Sequence, residues 1–433
     1  MNTSDNTSYY KNYFKDVTKL FSGNILAQLI GFFSIPFITR VYNPDLFGQY
    51  NLTLQIGIFC SIFFCFRMEQ VIPLSGNPSK AKVLLKYVLL RSTKIFIVLI
   101  LFSLCTYLIL YHIDSSYKEL DYILYAIVLG YLITISSGFQ FYTQTKQSYG
   151  ISSISEIILK SNFLLFALLI PKILILKPVG LLLAHMFALI SKILFLSYEA
   201  FLKSLHNLTN SLSFLDKKLY IVKKEMVNKF KPMAKSVAIS HVFLSATTLI
   251  PLFFFNTIFS ASELGQVSLA LNTIFLPTYM IGLALGNVYF ERASKLNLHN
   301  KDLKNLWLEN FKYLTIFSVP FFTFVFFIAP IIYPIFFGLD WEQAGKYAQI
   351  FAIPAMLSFI SSPMDRTCLV RRNTFWGPCW HALRAITTLA VCMISFSLDL
   401  NSLYFVIMLA SIMSLMYLLD MIVQFLFALN KLN

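Results

Sequence analysis

The sequence predicts an all-α membrane protein of about twelve transmembrane helices, arranged as two six-helix bundles related by a parallel internal repeat. Three observations carry that prediction. Of 433 residues, 57% are hydrophobic and only 13% are charged, against roughly 25% charged in an ordinary soluble domain. Long apolar runs recur from Leu20 to Leu429 with no polar stretch large enough to be a separate soluble domain. A short motif near the first span returns at about half the chain length.

A hydrocarbon core of ~30 Å takes ~20 apolar residues per helix. That ruler places spans near residues 20–39, 50–71, 87–111, 122–143, 156–176 and 178–202. A second set lies near 236–256, 266–288, 312–337, 345–363, 376–397 and 402–428. The domains are therefore 1–202, a six-helix bundle; 203–235, a linker; and 236–433, a second six-helix bundle.

Lysine and arginine accumulate in the cytoplasmic loops of inner-membrane proteins. With a cytoplasmic N-terminus, the inner segments hold Lys11, Lys15, Lys19, the group from Lys80 to Lys94, Lys146 and the run from Lys203 to Lys235. They continue with Arg292, Lys295, Lys301, Lys304, Lys312, Arg366, Arg371, Arg372 and Lys431. The outer segments hold only Arg40, Lys118, Lys172, Lys177 and Lys346. Both termini should then be cytoplasmic, which requires an even number of spans. The formal charge of +15 is explained by this asymmetry. It does not indicate nucleic-acid binding, because the chain has no basic groove interleaved with aromatic residues.

The repeat pairs Phe47-Gly48-Gln49-Tyr50-Asn51-Leu52 with Leu264-Gly265-Gln266-Val267-Ser268-Leu269, at the starts of the second and eighth spans. Pro36 and Pro251 sit late in the preceding spans. Six spans per half make the repeats parallel, related by an axis along the membrane normal. In the linker, Leu215, Leu219, Val222, Met226 and Phe230 recur at helical spacing between lysines, the pattern of a basic amphipathic helix lying on the cytoplasmic surface. The six cysteines lie mostly in apolar runs without C-x-x-C spacing and read as small core residues. The first nineteen residues are polar, so no cleaved signal peptide is expected.

The stretch Ile35-Pro36-Phe37-Ile38-Thr39-Arg40-Val41-Tyr42-Asn43-Pro44-Asp45-Leu46-Phe47-Gly48 resembles the first external turn of the polysaccharide flippases of the Wzx type. Arg67-Met68-Glu69 is similar to that family's Arg-aromatic-Glu pattern, with Met68 at the aromatic position. The runs from Leu276 to Phe290, Arg292 to Ser294 and Phe337 to Gly345 resemble the family's eighth span, its exit and its ninth-to-tenth turn. The matches run in order over roughly residues 20–390. The resemblance implies membership of the multidrug, oligosaccharidyl-lipid and polysaccharide exporter superfamily, with a MATE-like fold working by alternating access. It implies a non-enzymatic flippase in the bacterial inner membrane, carrying undecaprenyl-pyrophosphate-linked oligosaccharide (O-antigen or capsule) to the periplasmic leaflet. A polysaccharide polymerase and a chain-length regulator are the partners it implies. Coupling to H+ or Na+ is left open, and no other cofactor is expected.

A diphosphate headgroup needs polar and positive groups along its path to replace lost hydration. Lys192 is the deepest such residue, and His185, Lys192 and Glu199 recur every seven residues on one helical stripe. Either that stripe lines the cavity with Lys192 facing the phosphate or a sugar carboxylate, or Lys192 snorkels or pairs with an acid on a neighbouring helix. Arg384 lies one turn from His381, and Asp420 forms an i,i+4 pair with Gln424. An Arg384–Asp420 bridge competes with a substrate role for both. Glu156 and Lys160 are i,i+4 neighbours in the order that favours mutual neutralisation. Arg67 and Glu69 end the second span, and Arg40 ends the first as a candidate headgroup anchor. Near the seventh span's start, His241 reads as a satisfied core histidine. The competing classes are a cation-coupled drug antiporter, which would favour an aromatic and acidic pocket, and a membrane polysaccharide polymerase or ligase, which would need a substantial outer loop.

Overall fold

The computed structural model describes residues 23–113, 120–173, 179–202, 217–298 and 302–431. Lys11, Lys15, Lys19, Lys118, Lys177, Lys301 and the first part of the linker, through residue 216, lie outside them. In the first half the helices are α1 (Gly23–Thr39), α2 (Pro44–Cys65), α3 (Pro78–Ile113), α4 (Leu120–Thr145), α5 (Tyr149–Ile173) and α6 (Gly180–Ser197). They continue with α7 (Lys217–Ile258), α8 (Ala261–Ile274), α9 (Leu276–Leu298), α10 (Lys304–Phe337), α11 (Glu342–Ser361), α12 (Trp376–Ser397) and α13 (Ser402–Ala428). Helices α8 and α9 form one span, broken at Phe275 just before Pro277. Among the described residues, eleven segments are long and apolar enough to cross a membrane, and the shorter apolar α1 precedes them.

Three helices outrun the lengths read from hydropathy. α3 has 36 residues, α7 has 42 and α10 has 34. At 1.5 Å per residue, 36 residues extend about 54 Å, well beyond the hydrocarbon core. Each excess lies at the N-terminal, lysine-bearing end, where water rather than lipid can satisfy the side chains. Instead of forming a separate helix on the membrane surface, the described part of the linker runs unbroken into the seventh span. Its apolar face packs on protein: Met226 is buried, and Val227 and Phe230 pack against the same core. Apolar periodicity shows that a face is covered, not by what.

The chain divides into two compact units. One contains Thr53–Val242 and α1 as far as Ser34, and the other contains Phe243–Asn433 together with Ile35–Leu52. The first unit is centred on Val71, Ile72, Leu84, Leu85, Val88, Ile135, Phe139 and Leu196, from α3, α4, α6 and the 3-10 segment Met68–Ser75. In the second, Trp341, Tyr347, Phe351 and Phe322 are almost fully buried where α10 packs on α11. The opposite face of α10 exposes Phe324, Phe327, Ile331 and Ile335, between 59% and 67% accessible. Such an apolar face is stable only against lipid.

The repeated motif has a structural reason within the second unit. A Cβ on Gly48 would lie 2.5 Å from the Ala261 carbonyl oxygen, and one on Gly265 would lie 1.9 Å from that of Pro44. The N-terminal turns of α2 and α8 thus approach backbone to backbone, which only glycine at both positions permits. Nearby, Gln49 donates to Asn256 (3.0 Å), Asn272 donates to Asn51 (2.9 Å), and the Trp341 indole donates to the Thr39 carbonyl (3.2 Å).

Candidate functional site

In the first unit, α4, α5 and α6 bring together a polar cluster. The Lys192 ammonium on α6 donates to Glu156 Oε1 on α5 (2.7 Å) and to Gln140 Oε1 on α4 (2.9 Å). Only 4% of Lys192 is accessible. Charge-assisted bonds of this length offset the desolvation of both groups. Lys192 is therefore neutralised by the protein itself. Glu156, expected to pair with Lys160 along its own helix, instead bonds across to α6. The 2.7 Å interhelical contact prevails over the i,i+4 neighbour, whose advantage in an isolated helix is only about 0.2–0.5 kcal/mol.

That exchange leaves Lys160 as the surplus cation. Its side chain is part-buried on α5 and lies along α1, where a Cβ on Gly31 would meet its Cδ at 3.3 Å. It makes no hydrogen bond or ion pair with the described residues, although Glu156, Lys192 and His185 are within electrostatic reach. His185 packs against the ring of Phe163 at 5.2 Å between centroids. Two ammonium groups against one carboxylate leave net positive charge in the middle of the spans. A charge at that depth costs about 2.5–3.5 kcal/mol.

Arg67 and Glu69 form a different kind of pair. Glu69 is fully buried and accepts from Arg67 Nη1 (3.3 Å) and from the Cys65 thiol (2.7 Å). Phe66 and Arg67 both have positive φ, 52° and 57°, where α2 gives way to the 3-10 segment. Left-handed backbone costs roughly 1–2 kcal/mol for each non-glycine residue, and the buried pair is placed to hold that break. Gln70 and His241 then tie the segment to α7 through a 3.1 Å bond. Arg40 is exposed in the turn between α1 and α2.

In the second unit Arg384 and Asp420 do not bridge. Asp420, 2% accessible, accepts from Ser361 (2.8 Å), the Trp376 indole (3.0 Å) and Gln424 (3.3 Å). Three neutral donors satisfy its carboxylate without the guanidinium. Arg384 instead lies over the rings of Trp380 (5.7 Å) and Tyr417 (5.2 Å), with one long bond to the Tyr417 hydroxyl (3.4 Å). Cation–π contacts recover about 0.5–2 kcal/mol each, yet most of its five N–H donors have no acceptor among the described residues. Sequence reasoning missed this aromatic setting. Its signal was the spacing of Trp376, Trp380 and Arg384, each four residues apart and so on one helix face. Among the described residues no three His, Cys, Asp or Glu side chains converge as a metal site.

Residues 37–346 match the family model described as polysaccharide biosynthesis protein. No curated protein gives a significant sequence match. Among solved structures, the lipid II flippase MurJ in an inward closed conformation superposes with a TM-score of 0.64 at 16% identity, over 95% of this chain and 90% of that one. A MATE transporter in complex with MaD3S gives 0.60 at 13% identity, over 96% and 95%. A MOP superfamily transporter from Pyrococcus furiosus gives 0.57 at 12%, over 96% and 94%. At these identities the likeness establishes a shared fold.

Proposed function

Because the chain belongs to the polysaccharide biosynthesis protein family, we propose that it is a flippase for polyprenyl-diphosphate-linked oligosaccharide. It moves repeat units of O-antigen or capsule from the cytoplasmic to the periplasmic leaflet of a bacterial inner membrane. The observation that carries this reading is the surplus cation at Lys160, mid-span beside the Lys192–Glu156 pair. A diphosphate is the group for which such a charge would repay its insertion cost. Transport proceeds by alternating access, H+ or Na+ coupling supplies any energy input, and the product is handed to a polymerase with its chain-length regulator.

The test is complementation of a strain lacking the gene. Lys160→Ala should remove surface polysaccharide at normal protein abundance, with lipid-linked units accumulating in the membrane, and Lys160→Arg should retain export. Normal export by Lys160→Ala would overturn the assignment. A cation-coupled drug antiporter is the second reading, favoured by the MATE superposition. It predicts drug resistance on overexpression, and the positive cluster argues against cationic drugs as cargo.

A further inference from the structure

We infer that the aromatic and arginine cluster of the second unit is a sugar-ring platform, which reads the glycan of the cargo. This rests on the lipid-linked oligosaccharide reading above. The chain has four tryptophans, and three of them, Trp307, Trp341 and Trp380, are buried. Trp307 stacks on Phe311 and packs against Phe425, and Trp341 is 1% accessible with its indole bonded to a carbonyl. Trp376 differs in being part-exposed. Trp376 and Trp380 stack on each other one turn apart on α12, 6.2 Å between centroids and 23° between planes. Trp376 remains part-exposed, and its indole N–H is held by Asp420, which fixes the orientation of the ring.

Three elements converge there. α12 supplies Trp376, Trp380 and Arg384, α13 supplies Tyr417, and α9 supplies Tyr279, which is 63% accessible and close enough to feel both Tyr417 and Arg384. A pyranose ring has an apolar face of axial C–H bonds and an equatorial belt of hydroxyls. Rigid indole and phenol faces suit the first. The second suits a guanidinium with spare donors and two phenolic hydroxyls that both donate and accept. A hydrocarbon tail would leave Arg384 unsatisfied, and a cationic aromatic compound would be repelled by it. Sugar rings, neutral or acidic, use every part of the cluster. Asp420 is a positioning residue, acting through Trp376.

The experiment compares two lipids bound to the full-length protein in nanodiscs by native mass spectrometry. One is bare undecaprenyl diphosphate; the other is the undecaprenyl-diphosphate oligosaccharide extracted from cells lacking this gene. Trp376→Leu and Arg384→Gln should each weaken binding of the glycosylated lipid by about tenfold or more, while binding of the bare lipid changes by less than about twofold. Trp376→Phe, which keeps an aromatic face but gives up the bond to Asp420, should restore part of the loss, and melting temperatures of the variants equal to wild type show that folding is not at issue. Lys160→Ala should weaken both lipids equally. If Trp376→Leu and Arg384→Gln leave the preference for the glycosylated lipid intact, or weaken both lipids alike, the platform is wrong. If the wild-type protein binds neither lipid, the flippase reading itself fails and the platform falls with it.

Discussion

At the residue scale, the decisive relation is which of two lysines is already neutralised. Lys192, the deepest cation in the sequence, has two protein acceptors within 2.9 Å, whereas Lys160 has none among the described residues. Removing Lys192 leaves Glu156, part-buried at 23% side-chain accessibility, with Lys160 as its remaining cation within electrostatic reach. The loss should then fall below about 3–5 kcal/mol, the cost of breaking a fully buried pair. Lys192→Ala should therefore lower thermal stability in detergent, and Lys192→Met with Glu156→Leu should recover most of it, because both charges then leave together. A Lys192→Ala protein as stable as wild type would show that the pair contributes nothing to the fold. Loss of export by Lys192→Ala alone says little about cargo, which is why Lys160 carries the functional test. The sequence held the right residue types for this cluster but not the pairing. Spacing along a helix is readable, and it made Glu156–Lys160 the expected couple. The contact that prevails joins residues 36 apart through α5 and α6, and no one-dimensional pattern encodes it. The Trp376, Trp380, Arg384 face was legible in principle, because its period is helical. The acceptors that hold it, Asp420 and Tyr417, come from another helix.

At the element scale, hydropathy located the spans and missed their ends. The extensions of α3, α7 and α10 carry lysines, so an apolarity ruler stops where lipid stops although the helix continues into water. The glycine repeat was visible as a motif, but its reason was not, since the two copies meet backbone to backbone only after folding. Gly265→Ala places a methyl group 1.9 Å from the Pro44 carbonyl, and backbone cannot rotate away as a side chain can. Overpacking of this kind costs about 1–3 kcal/mol, and here the neighbour is rigid, so the upper part of that range is expected. Gly150→Ala is the control: its added Cβ meets nothing within 4 Å in a helical turn of α5, and reduced chain entropy should stabilise by about 0.4–1 kcal/mol. Melting temperatures of the two purified variants in one detergent give the comparison. Equal stability of Gly265→Ala and wild type would mean that α2 and α8 do not meet at this pair.

At the scale of the whole molecule, the spans set the sidedness of every loop by parity alone. Among the described residues, eleven segments long and apolar enough to cross, preceded by α1, give twelve candidate crossings, with α8 and α9 counted as one. Twelve returns the C-terminus to the side of the N-terminus. Sign then follows from lysine and arginine, which are retained on the cytoplasmic side during insertion. The outer set is weaker still than its count suggests, because Lys346 is paired with Glu342 at 2.8 Å one turn along α11. The lysine-bearing extensions of α3, α7 and α10 all begin in segments that this parity assigns to the cytoplasm. Alkaline phosphatase joined after Asp340 should therefore be active, and phosphatase joined after Lys203 or Lys431 should be silent, while a green fluorescent protein at those two sites should fluoresce. An active phosphatase after Lys431 would require an odd number of crossings. Either α1 would then fail to span, or the α8–α9 break at Phe275 would mark two re-entrant segments in place of one crossing. Phosphatase joined between α1 and α2, after Tyr42, separates these outcomes: activity there keeps α1 as a span and moves the error to α8–α9, and silence removes α1.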